Sequence, residues 1–220
     1  MANPYNQDLD QNPANYQPLT PLSFLERAAD VFPEFTAIIH GELRRSYADF
    51  YLRSKKLASA LSQKGMTRGS TVSTLLLNTP PMLEAHYGIP MCGAVIHAIN
   101  TRLDPATIAF QLDHANSQIL FFDKELANVV SEALRLSESK PFLIEFVDSE
   151  HEYGSMTSPD LEVIDYEVFL EKGEMVVIPR GVEHKPYAEK ECEIMLIEPK
   201  ETVNTGNIVS EMTVKNDLWI

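Results

Sequence analysis

Residues 71–103 read TVSTLLLNTPPMLEAHYGIPMCGAVIHAINTRL, and this stretch decides the fold. Thr71–Leu77 is a run of β-branched and aliphatic residues short enough for a buried strand. Asn78-Thr79-Pro80-Pro81 caps and opens a helix, because proline tolerates the first helical positions where no N–H partner is needed. That helix runs to about Met91, Gly93 ends it, and Ala94–Ile99 is a second strand. The alternation continues downstream. Asp104-Pro105 opens a helix to about Asn116, Gln118–Phe122 is a strand, Lys124–Leu136 a helix and Phe142–Val147 a strand. Strands alternating with helices predict parallel βαβ units in an α/β layer.

Upstream, residues 1–18 are polar and rich in Asn, Gln and Pro, and read as an extended lead-in. Thr20 caps a helix that starts at Pro21, with Leu22, Leu25, Ala29 and Phe32 as its apolar stripe. Thr36–His40 and Leu43–Tyr47 make a hairpin around Gly41-Glu42. From Tyr47 to Lys64, apolar residues at 47, 50, 51, 57, 58 and 61 keep helical spacing, and Gly65 closes the helix.

Composition narrows the function classes. The chain has 220 residues, enough for one large or two small domains, with 44% hydrophobic and 23% charged residues. Its 32 acidic and 18 basic side chains leave a net charge of −14, which opposes nucleic acid or an anionic membrane surface as a partner. Two cysteines, Cys92 and Cys192, are too few for a disulfide framework. No secretory leader, no apolar run of bilayer length and no Ser-Lys-Leu type address is read in the sequence, so the expected location is the cytoplasm.

Beyond residue 147 the character changes. Asp148–Glu167 holds seven acidic residues and no Lys or Arg, and reads as a solvated loop or linker. Strand-like residues resume at Glu174 and continue through Glu198. Within them GEMVVIPRGVEH, residues 173–184, alternates up to Pro179 and turns on Pro-Arg-Gly, followed by CEIMLIEP at 192–199.

Two resemblances follow. Residues 12–147 are similar to the N-terminal part of AMP-forming acyl-CoA synthetases, the fatty-acid–CoA ligase branch of the adenylate-forming superfamily. The carrying residues are Asn12-Pro-Ala-Asn-Tyr16, Leu19-Thr-Pro-Leu-Ser-Phe-Leu25 and Arg45-Ser-Tyr-Ala-Asp-Phe50, with Leu76-Leu-Asn-Thr-Pro80, His86-Tyr-Gly-Ile-Pro90 and Gly93–Leu103 behind them. The likeness extends more weakly through Ile164–Leu170. Separately, the Gly-x5-Pro-x-Gly-x2-His spacing of residues 173–184 resembles the second motif of the cupins, in which that histidine is a metal ligand inside a small β-barrel. The expected organisation is therefore a partial synthetase-like α/β domain at 1–147, an acidic linker and junction at 148–172, and a short all-β, half-cupin segment at 173–220.

The resemblances imply chemistry that the residues then test. Full-length synthetases use ATP, Mg²⁺ and CoA to activate a carboxylic acid. The triphosphate needs backbone N–H groups and a cation, supplied in the family by a Ser/Thr/Gly-rich loop ending in lysine. Here Tyr153-Gly-Ser-Met-Thr-Ser-Pro159 has one glycine, no nearby Lys or Arg, and carboxylates on both sides, so it reads as a plain loop. No catalytic or cofactor-binding residue is assigned, and no cofactor is expected for the chain alone. His184 is the single metal-ligand candidate; the His-x-His of the first cupin motif is absent, and a metal commonly needs three protein ligands. His86 and His97 read as hydrogen-bonded structural histidines, and Cys92 as an inert thiol. Three readings stay open: a ligase piece not competent alone, a cupin-type metal- or small-ligand module completed by homodimerisation through exposed β edges, and a rearranged product with no selected activity.

Overall fold

The computed structural model describes Asp10, Asn12, Tyr16, residues 19–153 and residues 161–173. Two compact units divide the chain, Met1–Val176 and Val177–Ile220, and every described residue belongs to the first. Beyond Gly173, the expected β segment and its His184 lie outside the described residues.

Helix α1 (Pro21–Val31) begins where Thr20 Oγ1 accepts the Ser23 N–H. Phe32 falls beyond its end and is half exposed, so the buried stripe is Leu25 and Ala29. The hairpin of β1 (Thr36–His40) and β2 (Leu43–Ser46) follows, then α2 (Tyr47–Gln63). Ser46 and Asp49 form a reciprocal capping box at the start of α2, which satisfies two otherwise orphaned N–H groups. Phe50, Ser54, Leu57, Ala60 and Leu61 line its buried face.

The main sheet has five parallel strands: β3 (Thr71–Leu75), β4 (Val95–Ala98), β5 (Ile119–Asp123), β6 (Phe142–Phe146) and β7 (Ile164–Asp165). Their spatial order is β4-β3-β5-β6-β7, the doubly wound order in which the first strand in the chain lies between the second and third. Helices α3 (Pro80–Met91), α4 (Pro105–His114) and α5 (Ala127–Leu136) provide the crossovers, with a short 3₁₀ turn at Lys124–Leu126. One face of the sheet buries Val72, Leu76, Ile119, Phe121 and Ile144 together with residues of α2 and α3. The other buries Leu75, Leu120, Phe122 and Leu143 against α4 and α5. Every residue of β5 is buried, as a central strand covered on both faces requires.

Close packing of α2 on α3 depends on Gly88. A Cβ there would stand 2.7–2.8 Å from side-chain atoms of Leu57, so only glycine lets the two helices approach.

The sequence reads 148–167 as solvated throughout, and the structure differs at its end. Ile164–Asp165 extends the sheet as β7, and α6 (Tyr166–Glu171) follows directly. Asp165 caps α6 by accepting the Glu167 and Val168 N–H groups. Tyr166, Phe169 and Leu170 are 1–2% exposed within the core. Each such side chain contributes about 1.5–3 kcal/mol on burial, enough to override the local acidic composition that suggested a linker.

Candidate functional site

In a doubly wound sheet the chain turns to opposite sides at one place, and ligands bind in the crevice outside the carboxyl ends of the strands there. Here that place lies between β3 and β5. The residues around it are Leu77, Asn78 and Thr79 after β3, and Asp123 at the end of β5. Asp123 is 1% exposed and its carboxylate accepts the Leu77 N–H. Burial, reinforced by Asp148 and Glu125, raises its pKa to about 6 against the opposing hydrogen bond from Leu77.

The start of α3, on this same edge, has few donors to offer an anion. Pro80 and Pro81 have no N–H, Thr79 N–H donates to Leu77 O at 2.8 Å, and Met82 N–H donates to Thr79 O at 3.1 Å. A helix N-terminus binds phosphate through free N–H groups. Here they are absent or engaged, and a buried carboxyl group occupies the neighbouring position. An open pocket of about 410 Å³ lies alongside, between β1 and the start of α3, and its lining includes His40, Asn78, Thr79, Leu83 and His86. Thr79 Oγ1 is buried with no hydrogen-bond partner among the described residues.

A second polar constellation sits inside the protein. Glu84 of α3 is fully buried. Its carboxylate accepts hydrogen bonds from Arg45 Nη1 and from Arg53 Nε (2.7 Å) and Nη2 (3.2 Å), and from Tyr166 Oη at 2.7 Å. Arg53 also makes a two-pronged contact with Glu167, at 2.6 and 2.8 Å. Burial alone would lower the Arg53 pKa, but its bonds to Glu167 and Glu84 outweigh that and hold the guanidinium protonated. The Tyr166 hydroxyl is pushed well up, by burial first and then by Glu84. The network ties β2, α2, α3 and α6 together, and it meets the requirement that a buried charge be paired and hydrogen-bonded.

The histidines singled out in the sequence are dispersed. His86 is exposed, with Nδ1 2.8 Å from Met82 O. His97 Nδ1 lies 2.9 Å from Ser73 Oγ, which also contacts Ser117 Oγ. Burial lowers the His97 pKa, with a smaller effect from His114. Cys92 is partly buried, its thiol donates to Ile89 O at 3.1 Å, and burial raises its pKa, the signature of an unreactive cysteine. Among the described residues no group of three or more His, Cys, Asp or Glu could hold a metal ion. Most of the 153–159 loop lies outside the described residues.

The Glu84 network and Asp123 are the polar features that pattern reading overlooks. A glutamate in the otherwise apolar run PPMLEAHYGIP is the available signal for the first, since a charge on a buried helix face demands partners. Asp123, ending the strand ILFFD, is the corresponding signal for the second.

Solved structures carry the same α/β arrangement. The anthranilate CoA ligase AuaEII, in complex with anthranoyl-AMP, matches at a TM-score of 0.60 and 17% identity, covering 68% of this chain and 27% of that one. A benzoate CoA ligase from Burkholderia xenovorans LB400 matches at a TM-score of 0.53 and 25% identity, over 56% and 25% of the two chains. These place the fold among CoA-ligase N-terminal domains. The AMP-binding enzyme profile matches residues 25–186, and the chain belongs to that family. Its relatives include the peroxisomal acetate/butyrate–CoA ligase of Arabidopsis thaliana, 41% identical over 175 residues, which cover 76% of this chain and 31% of the relative. An acetate–CoA ligase of Humulus lupulus is 40% identical over 179 residues, covering 76% and 31%. The chain thus spans about three-tenths of the length of these curated relatives. The matched residues run past 148–172, the expected linker and junction, and include His184.

Proposed function

We propose that these 220 residues supply the N-terminal α/β part of an acid–CoA ligase and do not form an acyl-adenylate by themselves. The observation that carries this is the β3–β5 crevice. At the start of α3 beside it, Pro80 and Pro81 lack N–H groups, those of Thr79 and Met82 are engaged, and the carboxyl group of Asp123 is buried next to them, so these residues fit the triphosphate of ATP poorly. ATP, Mg²⁺ and CoA belong to the complete ligase by family, with a carboxylic acid, fatty or otherwise hydrophobic, as the substrate class. The relatives named for acetate, butyrate and benzoate make short and aromatic acids the first to test. The role of the present residues is to build and hold a scaffold, through the parallel sheet and the Glu84 network.

The test is ATP–pyrophosphate exchange with the purified chain and a panel of acetate, butyrate, benzoate and longer acids. No exchange above background is expected; exchange dependent on one of these acids would refute the reading. The half-cupin alternative predicts stoichiometric Zn, Fe or Mn in the purified protein, lost on His184→Ala, and a dimer by light scattering. A metal-free monomer removes it. The junction expected within 148–172 and the cytoplasmic location are tested together by the intact mass and fractionation of the endogenous protein.

A further inference from the structure

The stretch after β6, residues 147–153, is fastened on two sides. On the hairpin side, His40 Nε2 lies 2.8 Å from Asp148 Oδ2, and the Glu42 N–H donates to Glu150 Oε2 at 3.0 Å. Gly41, at φ +52°, leaves room for that contact: a Cβ there would stand 1.8 Å from Glu150 Oε2. On the β5 side, His151 Nε2 is 3.8 Å from Glu125 Oε2, and Lys124 Nζ lies 5.4 Å from the centre of the Tyr153 ring. Within the stretch, the Asp148 N–H donates to Tyr153 Oη at 2.7 Å and the Glu150 N–H to Asp148 Oδ1 at 3.0 Å. These contacts set residues 147–153 against the end of β5, where Asp123 is buried.

We infer that residues 147–153 are a pH-sensitive strap at the carboxyl end of β3 and β5, held shut in mild acid and loosened as the pH rises toward neutrality. The geometry supplies the mechanism. The groups acting on Asp123 are the Leu77 N–H, Asp148 and Tyr153 of the strap, Glu125 of the turn after β5, and His40 of β1. Asp148 and Glu125 are like charges, and Asp148 is the residue through which His40 holds the strap. When Asp123 carries its charge it repels the anchor; when it is protonated, that repulsion is gone.

The direction follows from linkage. Burial first, then Asp148 and Glu125, raise Asp123 to about 6. Opening the strap removes Asp148 and admits water, which lowers Asp123 toward the ordinary carboxylate range. The closed form therefore binds the proton more tightly, and closure weakens as pH rises through that interval. One pKa unit of coupling corresponds to about a tenfold change in the opening equilibrium. The structure shows the closed form.

The experiment is amide hydrogen exchange on the full chain between pH 5 and 8, read at Asp148 and Glu150 as protection factors with intrinsic chemical rates removed. Protection should fall about tenfold across this range. Asp123→Asn, which keeps an acceptor for the Leu77 N–H, should flatten that dependence at the high-protection end. His40→Gln should lower protection at every pH while leaving the slope. A flat wild-type profile overturns the inference. So does an Asp123→Asn profile that keeps the slope while His40→Gln abolishes it, because the imidazole would then be the switch. The carboxyl-carbon NMR titration of Asp123 needs no Asp123 variant. A midpoint near 6 that moves down in Asp148→Asn is expected, and a wild-type midpoint below about 4.5 refutes the coupling.

Discussion

Removing the carboxylate of Glu84 should be among the most damaging single changes available to this domain. In Glu84→Ala, Arg45 and Arg53 lose their buried acceptor, and Tyr166 Oη loses its partner inside the core. The arginine side chains are only 16% and 18% exposed, so water restores their hydration poorly. Breaking a buried ion pair by deleting one partner typically costs about 3–5 kcal/mol. Against a total stability of about 5–15 kcal/mol for a domain, that is a large fraction. For a domain of this size it corresponds to a melting point lower by about 6–20 °C. Glu84→Gln keeps the shape and one acceptor oxygen but turns an NH₂ group toward two cations, so its cost should approach that of alanine. Urea unfolding of wild type and both variants measures this. The informative control replaces the cluster as a whole, with Glu84→Leu, Arg45→Met, Arg53→Met and Tyr166→Phe, because apolar replacement of a complete buried cluster is often neutral. A Glu84→Ala cost below about 1 kcal/mol, the range of exposed pairs, would refute the idea that this charge is buried and fully paired. A double-mutant cycle between Glu84 and Arg53 is a further check, and a coupling energy near zero would contradict the idea equally.

Other changes separate the remaining contributions. Tyr166→Phe removes one hydrogen bond but leaves Glu84 with its arginines, and should cost about 1–1.5 kcal/mol in the same unfolding assay. Ser46→Ala dismantles the capping box of α2 and should cost about 1 kcal/mol. Gly88→Ala presses a methyl group into Leu57 and should cost about 1–3 kcal/mol. Asp123→Asn should stabilise the protein at pH 7.5 and have little effect near pH 4. A carboxyl group with a raised folded-state pKa favours the folded state at low pH and loses that advantage as pH rises from about 4 to about 6. The gain at pH 7.5 should be on the order of 2 kcal/mol, visible as a wild-type stability that declines over this interval and a variant stability that does not.

The α/β alternation was legible because its punctuation is local. Thr20-Pro21 and Asp104-Pro105 each start a helix by satisfying or eliminating an N–H within a few residues, and each does so in the structure. Parallel strand pairing could also be anticipated, since βαβ units require it; the strand order could not. The network around Glu84 could not. Its members are at 45, 53, 84, 166 and 167, and no pattern short of the folded chain brings the last two to the first three. The same distance hid α6: its acidic surroundings dominate any window of sequence, whereas its stability comes from Tyr166, Phe169 and Leu170 meeting a core assembled from residues a hundred positions earlier. His184 was legible as a motif, but a metal site requires several ligands to converge, and convergence is not a property of a short sequence.

The placement of charge connects the scaffold reading with its chemistry. Where the chain needs a buried anion for architecture, at Glu84, it surrounds the carboxylate with two guanidinium groups and a phenol. At the crevice between β3 and β5, where a phosphate-binding protein would place cations and free amides, it has two prolines, engaged amides and Asp123 with Asp148 and Glu125 nearby. Arg45 and Arg53, drawn into the Glu84 network, are committed to holding secondary structure in place. A phosphate-bearing ligand approaching this edge would meet like charge and few donors. This is the ground for proposing that the phosphate chemistry of the family is carried by other residues. Building a phosphate site at this edge should take more than one substitution: Asp123→Asn removes a repulsive charge, but it supplies neither a cation nor the N–H groups that Pro80 and Pro81 lack.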